Sequence, residues 1–319
     1  MYVKYQNEQW EKAVPMVSVI TPIYNRSHTI KRTIESVRKQ SFQNIEYIIV
    51  DDGSTDELDD VLMPELEKLD IPVLYMKKEN GGGHTACNLA VSKARGKYTR
   101  FLDSDDEMTD DSIESFLKVW DHIPASPDLP YREVVAQCKD QNGKRVGEPF
   151  PDNINELPWK DAIVACDMTH GEHTGMNLTK ALQEYPWPEP EGITLVSEDI
   201  VWKKMEKSYR SYYINDMLRI YHMDTEGSYS NTKKSLQYCR NTQWNLGYCL
   251  DHWDIYKSSK NNLLKDLLLY EVFTTILVRH RIKPYQLSVR KYSMLRLLER
   301  LPGKILACWY MKKRLVQKQ

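Results

Sequence analysis

Several features that would assign a sequence to a class are absent from this 319-residue chain. The six cysteines are scattered and none forms a CxxC pair or metal-ligand spacing, so reduced thiols in a cytosolic protein are expected. The formal net charge of −1 is too small to indicate a nucleic-acid partner, and we expect none. Neither GxGxxG nor GxxxxGK(S/T) occurs, which excludes the dinucleotide fingerprint and the P-loop.

Long apolar runs are also absent. A spanning helix needs about 18 uninterrupted apolar residues, and no window of the sequence supplies them. The segment Met1 to Glu11 is polar and lacks the apolar core of a signal peptide. We therefore expect a cytoplasmic protein, with any membrane contact limited to the surface of the inner face.

What the sequence does contain is an alternation of apolar, β-prone runs with segments of helical spacing. The apolar runs lie at 16–23, 45–50, 72–76 and 98–102, and the predicted helices lie at 29–40, 58–69 and 84–94. Runs that are apolar throughout indicate strands covered on both faces. The alternation predicts an α/β fold with a doubly wound, mostly parallel sheet flanked by helices. Residues 233–319 are predicted to form a C-terminal helical extension of a domain over residues 1–232.

The fourth of these strands ends in clustered carboxylates, because Asp103, Asp105 and Asp106 follow Leu102 almost directly. Like charges this close repel and raise each other's pKa. A divalent cation removes that penalty, and Mg²⁺ or Mn²⁺ favours carboxylate and phosphate oxygens. The alternative is an acidic strand-to-helix turn in which a following aspartate caps the next helix.

Two other predicted strands also end in polar, loop-forming residues. Tyr24 and Asn25 follow the first strand, and residues 51–54 (Asp-Asp-Gly-Ser) follow the second. Ligands of doubly wound sheets bind at the carboxyl ends of the strands, where a carboxylate can accept a base N–H and a tyrosine can cover a base. The alternative for 51–54 is an Asx-turn in which Gly53 supplies a positive φ. The glycines at 81–83 either let the backbone approach a sugar or diphosphate or form a flexible turn.

Four motifs, in this order, resemble the family 2 glycosyltransferases with a GT-A fold. They are VSVITPIYN at 17–25, IIVDDGSTD at 48–56, NGG at 80–82 and FLDSDD at 101–106. The resemblance covers roughly residues 15–120. It implies an inverting enzyme that uses a nucleotide-diphosphate sugar, most often a UDP-sugar, with Mn²⁺ or Mg²⁺. It also implies a nucleotide-binding half at 15–120 and an acceptor half at 121–232.

The resemblance assigns roles to individual residues. Asp52 corresponds to the carboxylate that reads the uracil. Asp105 and Asp106 match the last two positions of the DxD motif, so Asp105 would face the ribose or sugar and Asp106 the metal. Some GT-A enzymes bring a late histidine to the metal, and His222 fits that order, although a solvent-facing histidine at a strand end is the alternative. The implied nucleotide-sugar site comprises Pro22, Tyr24, Asn25, Asp52, Gly82 and Asp105, and the implied metal ligands are Asp106, Asp105 and His222.

An inverting transfer also needs a base that deprotonates the attacking hydroxyl, and one carboxylate suffices. Glu198 and Asp199 open a predicted helix, where acidic residues are favoured by the macrodipole whatever their function. Family 2 members carry a Glu-Asp pair at this point of the order. By that resemblance Asp199 is the general base, and Glu198 supports it or contacts the acceptor.

Three further segments of the later half carry predictions. Residues 131–146 are predicted to form a hairpin that turns at Asn142 and Gly143. Residues 168–177 are predicted to form a loop that faces the sugar or acceptor. A metal cluster of His170, Glu172 and His173 is the alternative, although their spacing is not HExxH. After Arg279 the chain is basic, with leucines and aromatic residues interleaved, which favours peripheral contact with an anionic membrane or else a helical cap with a solvated basic face.

The function predicted from these observations is inverting sugar transfer to a hydroxyl of a glycan or lipid-linked precursor of a cell-surface polysaccharide. A nucleotidyltransferase on a related sheet is one alternative, although the chain lacks a Gly-rich, Lys-containing N-terminal loop that would activate a triphosphate. A non-catalytic protein that binds a nucleotide-sugar or glycan is the other. The sequence leaves the sugar, the acceptor and the oligomeric state open.

Overall fold

The computed structural model describes residues 1–126, 128–222, 235–252, 260–287, 302–308 and 311. Within these residues the chain forms a mixed sheet of nine strands flanked by helices. The strands are β1 (Tyr2–Gln6), β2 (Val17–Ile23), β3 (Ile45–Asp51), β4 (Val73–Lys77), β5 (Tyr98–Phe101), β6 (Glu107–Met108), β7 (Tyr131–Lys139), β8 (His173–Leu178) and β9 (Arg210–Ile220). The helices are α1 (Ile30–Arg38), α2 (Leu58–Leu66), α3 (Gly83–Lys93), α4 (Ser112–His122), α5 (Trp159–Met168), α6 (Thr179–Glu184), α7 (Asp199–Met205), α8 (Leu236–Asp251) and α9 (Lys260–Arg279). Residues 302–308 are also helical, and a short 3-10 helix spans Ile154–Glu156.

The first half of the sheet is parallel, as the alternation of strands and helices predicts. Strand β2 lies between β3 and β5 and is parallel to both, and β4 is parallel to β3. Every residue of β3 is buried, which explains why its sequence is apolar almost without interruption. The carboxyl ends of β2, β3 and β5 therefore meet at one edge of the sheet.

The second half of the sheet is mainly antiparallel. The full strand order is β1-β4-β3-β2-β5-β8-β7-β9-β6. Among the described strands β8 is antiparallel to β5 and to β7, β9 is antiparallel to β6, and β7 and β9 are parallel. The N-terminal strand β1 adds an antiparallel edge on β4. The doubly wound sheet is thus a parallel core that carries antiparallel strands on both sides.

Strand β8 corrects the prediction of a loop at 168–177 from His173 onward. The segment has polar residues and glycines, but β8 lies between β5 and β7 and gains hydrogen-bonded partners on both sides. Gly175 lies against the Glu133 side chain, and a Cβ at this position would require the Glu133 carboxylate to shift. The predicted turn at Asn142 and Gly143 is present, with Gly143 at φ +81°, although the described second arm of the hairpin is reduced to the bridge between Lys139 and Arg145.

By its internal contacts the chain divides into two compact units. The first comprises Met1–Trp187 and Met205–Thr225, and the second comprises Pro188–Lys204 and Glu226–Gln319. The segment before and within α7 thus groups with the C-terminal helices. The predicted domain boundary after residue 232 falls among residues 223–234, outside the described residues, and stays a prediction.

Each unit has its own apolar core. In the first unit the core lies against the parallel strands and includes Val19, Tyr47 and Phe116. In the second unit α8 and α9 enclose a cluster around Cys239, Phe273 and Ile276. No helix among the described residues is both long enough and apolar enough to cross a bilayer. Most of the basic tail predicted to contact a membrane lies outside the described residues.

Candidate functional site

The glycine loop after β4 is held by the side chain of Asp52. This carboxylate follows β3 and is 3% exposed. Its Oδ1 accepts hydrogen bonds from Lys78 Nζ at 2.6 Å and from the N–H of Gly81 at 2.9 Å, and its Oδ2 accepts the N–H of Gly82 at 2.7 Å. Asn80 Nδ2 donates to the Asp52 carbonyl at 2.9 Å. Charge-assisted bonds of this kind fix geometry, so the loop is positioned by Asp52 rather than being a free turn.

Two glycines make this arrangement sterically accessible. Gly53 has φ +82°, and a Cβ there would lie 2.7 Å from the main-chain nitrogen of Asn80. Gly82 has φ +98° and precedes α3 directly. The Asx-type turn considered for this segment is present at Asp51, whose Oδ1 accepts the N–H of Ser54 at 2.7 Å. One carboxylate of the Asp-Asp pair therefore closes the turn, and the other holds the glycine loop.

The end of β2 is tied to the same turn through Asn25. Asn25 has a positive φ of 51°, its N–H donates to Ser54 Oγ at 2.9 Å, and its Oδ1 accepts the N–H of Thr55 at 2.8 Å. Tyr24 is 45% exposed beside it, and Pro22 is half-buried on β2. The structure therefore brings the predicted nucleotide-contacting residues of β2 and β3 to one edge of the sheet, with an exposed aromatic ring at the rim.

Asp106 is the buried member of the acidic cluster that follows β5. It is 1% exposed, and its Oδ1 accepts the main-chain N–H of His222 at 3.0 Å. Its Oδ2 is buried without a hydrogen bond in the described part of the chain, and Arg219 Nε lies 3.4 Å away. Burial raises the pKa of Asp106 to about 7, although the charge of Arg219 opposes the rise.

Arg219 is the counter-charge of this acidic cluster. It lies near the end of β9, opposite Met108 of β6, and its side chain is 9% exposed. Its guanidinium lies 2.9 Å from Asp103 Oδ2, 3.3 Å from Glu172 Oε2 and 3.4 Å from Asp106 Oδ2. This buried arginine thus offsets part of the repulsion that the sequence predicts among the carboxylates.

The other two predicted metal ligands lie beside Asp106. The Asp105 carboxylate is 3.5 Å from Arg26 Nε, and its carbonyl accepts a hydrogen bond from Arg32 Nε at 2.9 Å. His222 Nε2 lies 2.8 Å from Glu107 Oε1, and the contact between His222 and Asp106 runs through the histidine main chain. The structure therefore gathers Asp105, Asp106 and His222 in one place without pointing all three side chains at a common centre. Among the described residues no group of three or more His, Cys, Asp or Glu side chains is arranged to hold a metal ion.

A divalent cation nevertheless fits the chemistry of Asp106. Its Oδ2 is a buried carboxylate oxygen that lacks a hydrogen bond, and its charged form is disfavoured by burial. Mg²⁺ is usually bound through one or two carboxylates together with the phosphates of a substrate, so a complete protein cage is not required.

The predicted base lies in the second compact unit. Asp199 is exposed and is the first residue of α7, and Glu198 precedes it, also exposed. The carbonyl of Glu198 accepts the N–H of Val201 at 2.9 Å and of Trp202 at 3.1 Å, so Glu198 belongs to the start of the helix. The roles of Asp199 and Glu198 stay predictions.

Sequence reasoning missed three charge pairs at the candidate site. Lys78 binds Asp52, Glu107 binds His222, and Glu172 binds Arg219. Lys78 stands two residues before the NGG motif, and this proximity is the one signal that could have identified it. Glu107 and Glu172 contact residues 115 and 47 positions away, and no local pattern marks such pairs.

A comparison with family models matches residues 18–170 to Glycosyl transferase family 2. Among curated proteins, 106 residues are 47% identical to TuaG of Bacillus subtilis (strain 168), a glycosyltransferase provisionally assigned to teichuronic acid biosynthesis. The match covers 33% of this chain and 41% of TuaG, and the chain spans less than half the length of the curated relatives it matches.

Solved structures of other proteins share the fold. TarS 1–349 of S. aureus in complex with UDP-GlcNAc is 19% identical with a TM-score of 0.55, covering 91% of this chain and 79% of that one. The mannosyltransferase PcManGT from Pyrobaculum calidifontis, in complex with GDP-Man and Mn²⁺, is 15% identical with a TM-score of 0.54, covering 96% and 88%. The predicted GT-A-like architecture is confirmed. Over residues 18–170, just under half of its length, the chain is therefore similar to glycosyl transferase family 2.

Proposed function

We propose that this chain transfers a sugar, with inversion, from a nucleotide-diphosphate sugar to a hydroxyl of a glycan or lipid-linked precursor of a cell-surface polysaccharide. The observation that carries the proposal is the pairing of Asp106, a buried carboxylate with an unbonded oxygen, with the glycine loop held by Asp52 at the same edge of the sheet. The match of residues 18–170 to glycosyl transferase family 2 supports sugar transfer as the reaction class. A relative assigned to teichuronic acid biosynthesis supports the polymer, and the basic residues after Arg279 are proposed to bring the chain to an anionic membrane surface.

We propose a UDP-sugar as the donor. The Asp52 Oδ2 accepts one N–H and has capacity for a second, which suits the imide N–H of uracil. Tyr24 is exposed and can cover the base. The structural relative TarS is known in complex with UDP-GlcNAc, whereas PcManGT binds GDP-Man, so fold alone does not select the base.

The chain's own residues divide the chemistry between them. Asp106, with Asp105 and His222 as further ligands, would hold Mn²⁺ or Mg²⁺, and such an ion neutralises the charge that develops on a departing diphosphate. In the absence of such an ion, Arg219 offsets the repulsion between the Asp103 and Asp106 carboxylates. Asp199 would take the proton of the acceptor hydroxyl, with Glu198 as its support, and an exposed carboxylate is accessible for that role.

The purified chain is expected to release a nucleoside diphosphate when incubated with UDP-sugars, Mn²⁺ and a glycan acceptor. UDP-sugars with Mn²⁺ are also expected to raise the melting temperature, because a ligand at 100 times its dissociation constant stabilises the native state by about 2.7 kcal/mol. GDP-sugars serve as the matched control. Release of pyrophosphate would instead indicate nucleotidyl transfer, and binding without turnover across a range of acceptors would indicate a non-catalytic protein.

The substitution Arg219→Met is expected to destabilise the metal-free protein by about 3 kcal/mol, because removing one partner leaves the buried Asp106 without a compensating charge. Mn²⁺ supplies the missing charge, so its addition is expected to raise the melting temperature more in R219M than in the unmodified protein. Thermal unfolding with and without Mn²⁺ measures both effects.

The matched control is Arg210→Met on the same strand. Arg210 is 2% exposed and lies 3.0 Å from Asp128, at the other end of β9. Its loss should destabilise the protein to a similar degree while leaving the effect of Mn²⁺ unchanged. Equal Mn²⁺ shifts in R219M and R210M would contradict the proposed link between Arg219 and the cation.

A further inference from the structure

The segment that leads into α7 is held along its length by side chains of helix α8. Residues 191–198 contain no helix or strand, yet they connect directly to the predicted base. Arg240 donates to the carbonyl of Glu191 at 3.1 Å, and Gln237 donates to the carbonyl of Gly192 at 3.1 Å. All of these residues belong to the second compact unit.

Two asparagines continue this row of contacts toward Asp199. Asn241 accepts the N–H of Thr194 at 3.1 Å and donates to the Thr194 hydroxyl at 3.1 Å. Asn245 accepts the N–H of Ser197 at 2.8 Å and donates to the carbonyl of Leu195 at 2.9 Å. Each amide thus uses both its oxygen and its nitrogen, which a carboxylate or an ammonium group cannot do.

The spacing of these side chains along α8 explains why they meet successive positions of the 191–198 segment. Gln237, Asn241 and Asn245 are four residues apart and share one face of α8. Gln237 also donates to Asn241 Oδ1 at 2.9 Å, and Asn245 donates to the Asn241 carbonyl at 2.8 Å, so the row is connected within the helix. An amide so bound has little rotational freedom, and the backbone groups it binds are fixed with it.

Apolar contacts hold the same segment from within. Ile193 is 5% exposed and Val196 is 4% exposed, so they are buried between the positions that α8 binds. Ser197, whose N–H Asn245 accepts, offers its own carbonyl to the N–H of Ile200 at 3.2 Å. Asn245 is therefore linked to the first turn of α7 through the main chain of Ser197.

We propose that Asn241 and Asn245 are positioning residues that set the place of the Asp199 carboxylate through the backbone of Thr194, Leu195 and Ser197. The inference rests on the proposed function, in which Asp199 deprotonates the acceptor hydroxyl. It assigns to helix α8 a part in the transfer reaction, beyond its packing against α9. A displacement of about 1 Å at a reacting group costs on the order of 100-fold in rate, so loosening this row is expected to lower kcat without weakening donor binding.

The test compares Asn245→Leu with Gln243→Met, two nearly isosteric losses of an amide on the same helix. Gln243 is 1% exposed and binds the Thr274 hydroxyl and both main-chain groups of Tyr285, away from the 191–198 segment. N245L is expected to lower kcat about 100-fold with the dissociation constant of the UDP-sugar unchanged. Q243M is expected to lower the melting temperature comparably with kcat within about threefold. Asn245→Ser keeps a donor and an acceptor, so its kcat is expected to lie between those of N245L and the unmodified protein. If N245L does not fold, this intermediate fall in kcat, with unchanged binding of the UDP-sugar, is the expected result in its place.

The double variant with Asp199→Asn distinguishes the positioning role of Asn245 from the proposed role of Asp199 as the base. If Asn245 acts through Asp199, N245L is expected to add little to the loss already caused by D199N. A fall in kcat that only follows the melting temperature, equal in N245L and Q243M, would overturn the positioning role, as would an unchanged kcat in N245L. If D199N itself transfers sugar at the unmodified rate, the proposed function fails, whatever N245L does.

Discussion

Asp199→Asn is expected to lower the rate of sugar transfer by about 10³-fold, because an amide cannot accept the proton of the attacking hydroxyl. The side chain is exposed and near the helix start, so the substitution should leave folding and donor binding intact. Transfer rates with saturating donor and acceptor, together with a donor titration in the absence of acceptor, measure the two quantities separately. Glu198→Gln is expected to have a smaller effect, about tenfold, if Glu198 only supports the base or contacts the acceptor.

The alternative explanation of Asp199 is that it stabilises its helix through the macrodipole. Asp161 provides the matched control, since it is an exposed aspartate in the first turn of α5. Asp161→Asn should share any loss of helix stability and leave the transfer rate unchanged. A D199N protein that retained the unmodified rate, or that lost rate only as much as D161N, would remove Asp199 from the reaction.

Asp106→Asn is expected to abolish metal-dependent transfer, with a rate loss of at least about 10³-fold, because the neutralisation of the leaving diphosphate depends on the ion that this carboxylate would hold. The rise in melting temperature caused by Mn²⁺ is expected to disappear as well. Differential scanning fluorimetry with and without Mn²⁺, alongside the transfer assay, provides both measurements.

The stability of D106N shows whether its loss of transfer activity comes from unfolding. The folded-state pKa of Asp106 is raised to about 7 by burial, above the ordinary value of 3.8. Because charging this buried carboxylate is unfavourable, the folded, metal-free protein loses stability as the pH rises from 3.8 to about 7. The loss is absent at lower pH and complete at higher pH. At pH 8 the asparagine is therefore expected to cost the metal-free protein little stability.

Glu46→Gln is the matched control for Asp106→Asn. Glu46 is a fully buried carboxylate on β3, 2.7 Å from Arg95, near the opposite end of the strand from Asp52. Its replacement should lower the melting temperature, since it breaks a buried ion pair, while the Mn²⁺ shift remains. A Mn²⁺ shift that survived in D106N would show that the ion binds elsewhere.

The parallel half of the sheet was predictable because its signals are local. The apolar runs at 16–23, 45–50, 72–76 and 98–102 became β2, β3, β4 and β5, and no end is shifted by more than one residue. Such runs report burial on both faces, and the polar residues after them mark where the strands end. The convergence of these ends at one edge follows from parallel order alone.

The antiparallel half was less accessible for a physical reason. Strand β8 carries Gly175 and polar side chains, so its own sequence does not favour a strand. It forms because β5 and β7 present hydrogen-bonding edges on either side of it. Strand β1 likewise depends on the edge of β4 rather than on an apolar pattern.

The sequence by itself determined the parallel strands, the polar residues at their ends and the order of motifs that mark the family. Only the tertiary structure decided how the charges are balanced and how the later segment is held. Arg219 meets Asp103 across 116 positions, and Asn245 meets Ser197 across 48. Contacts over such distances arise from which strands and helices become neighbours, and hydrophobic periodicity records which face of an element is buried but not which polar partner it meets there.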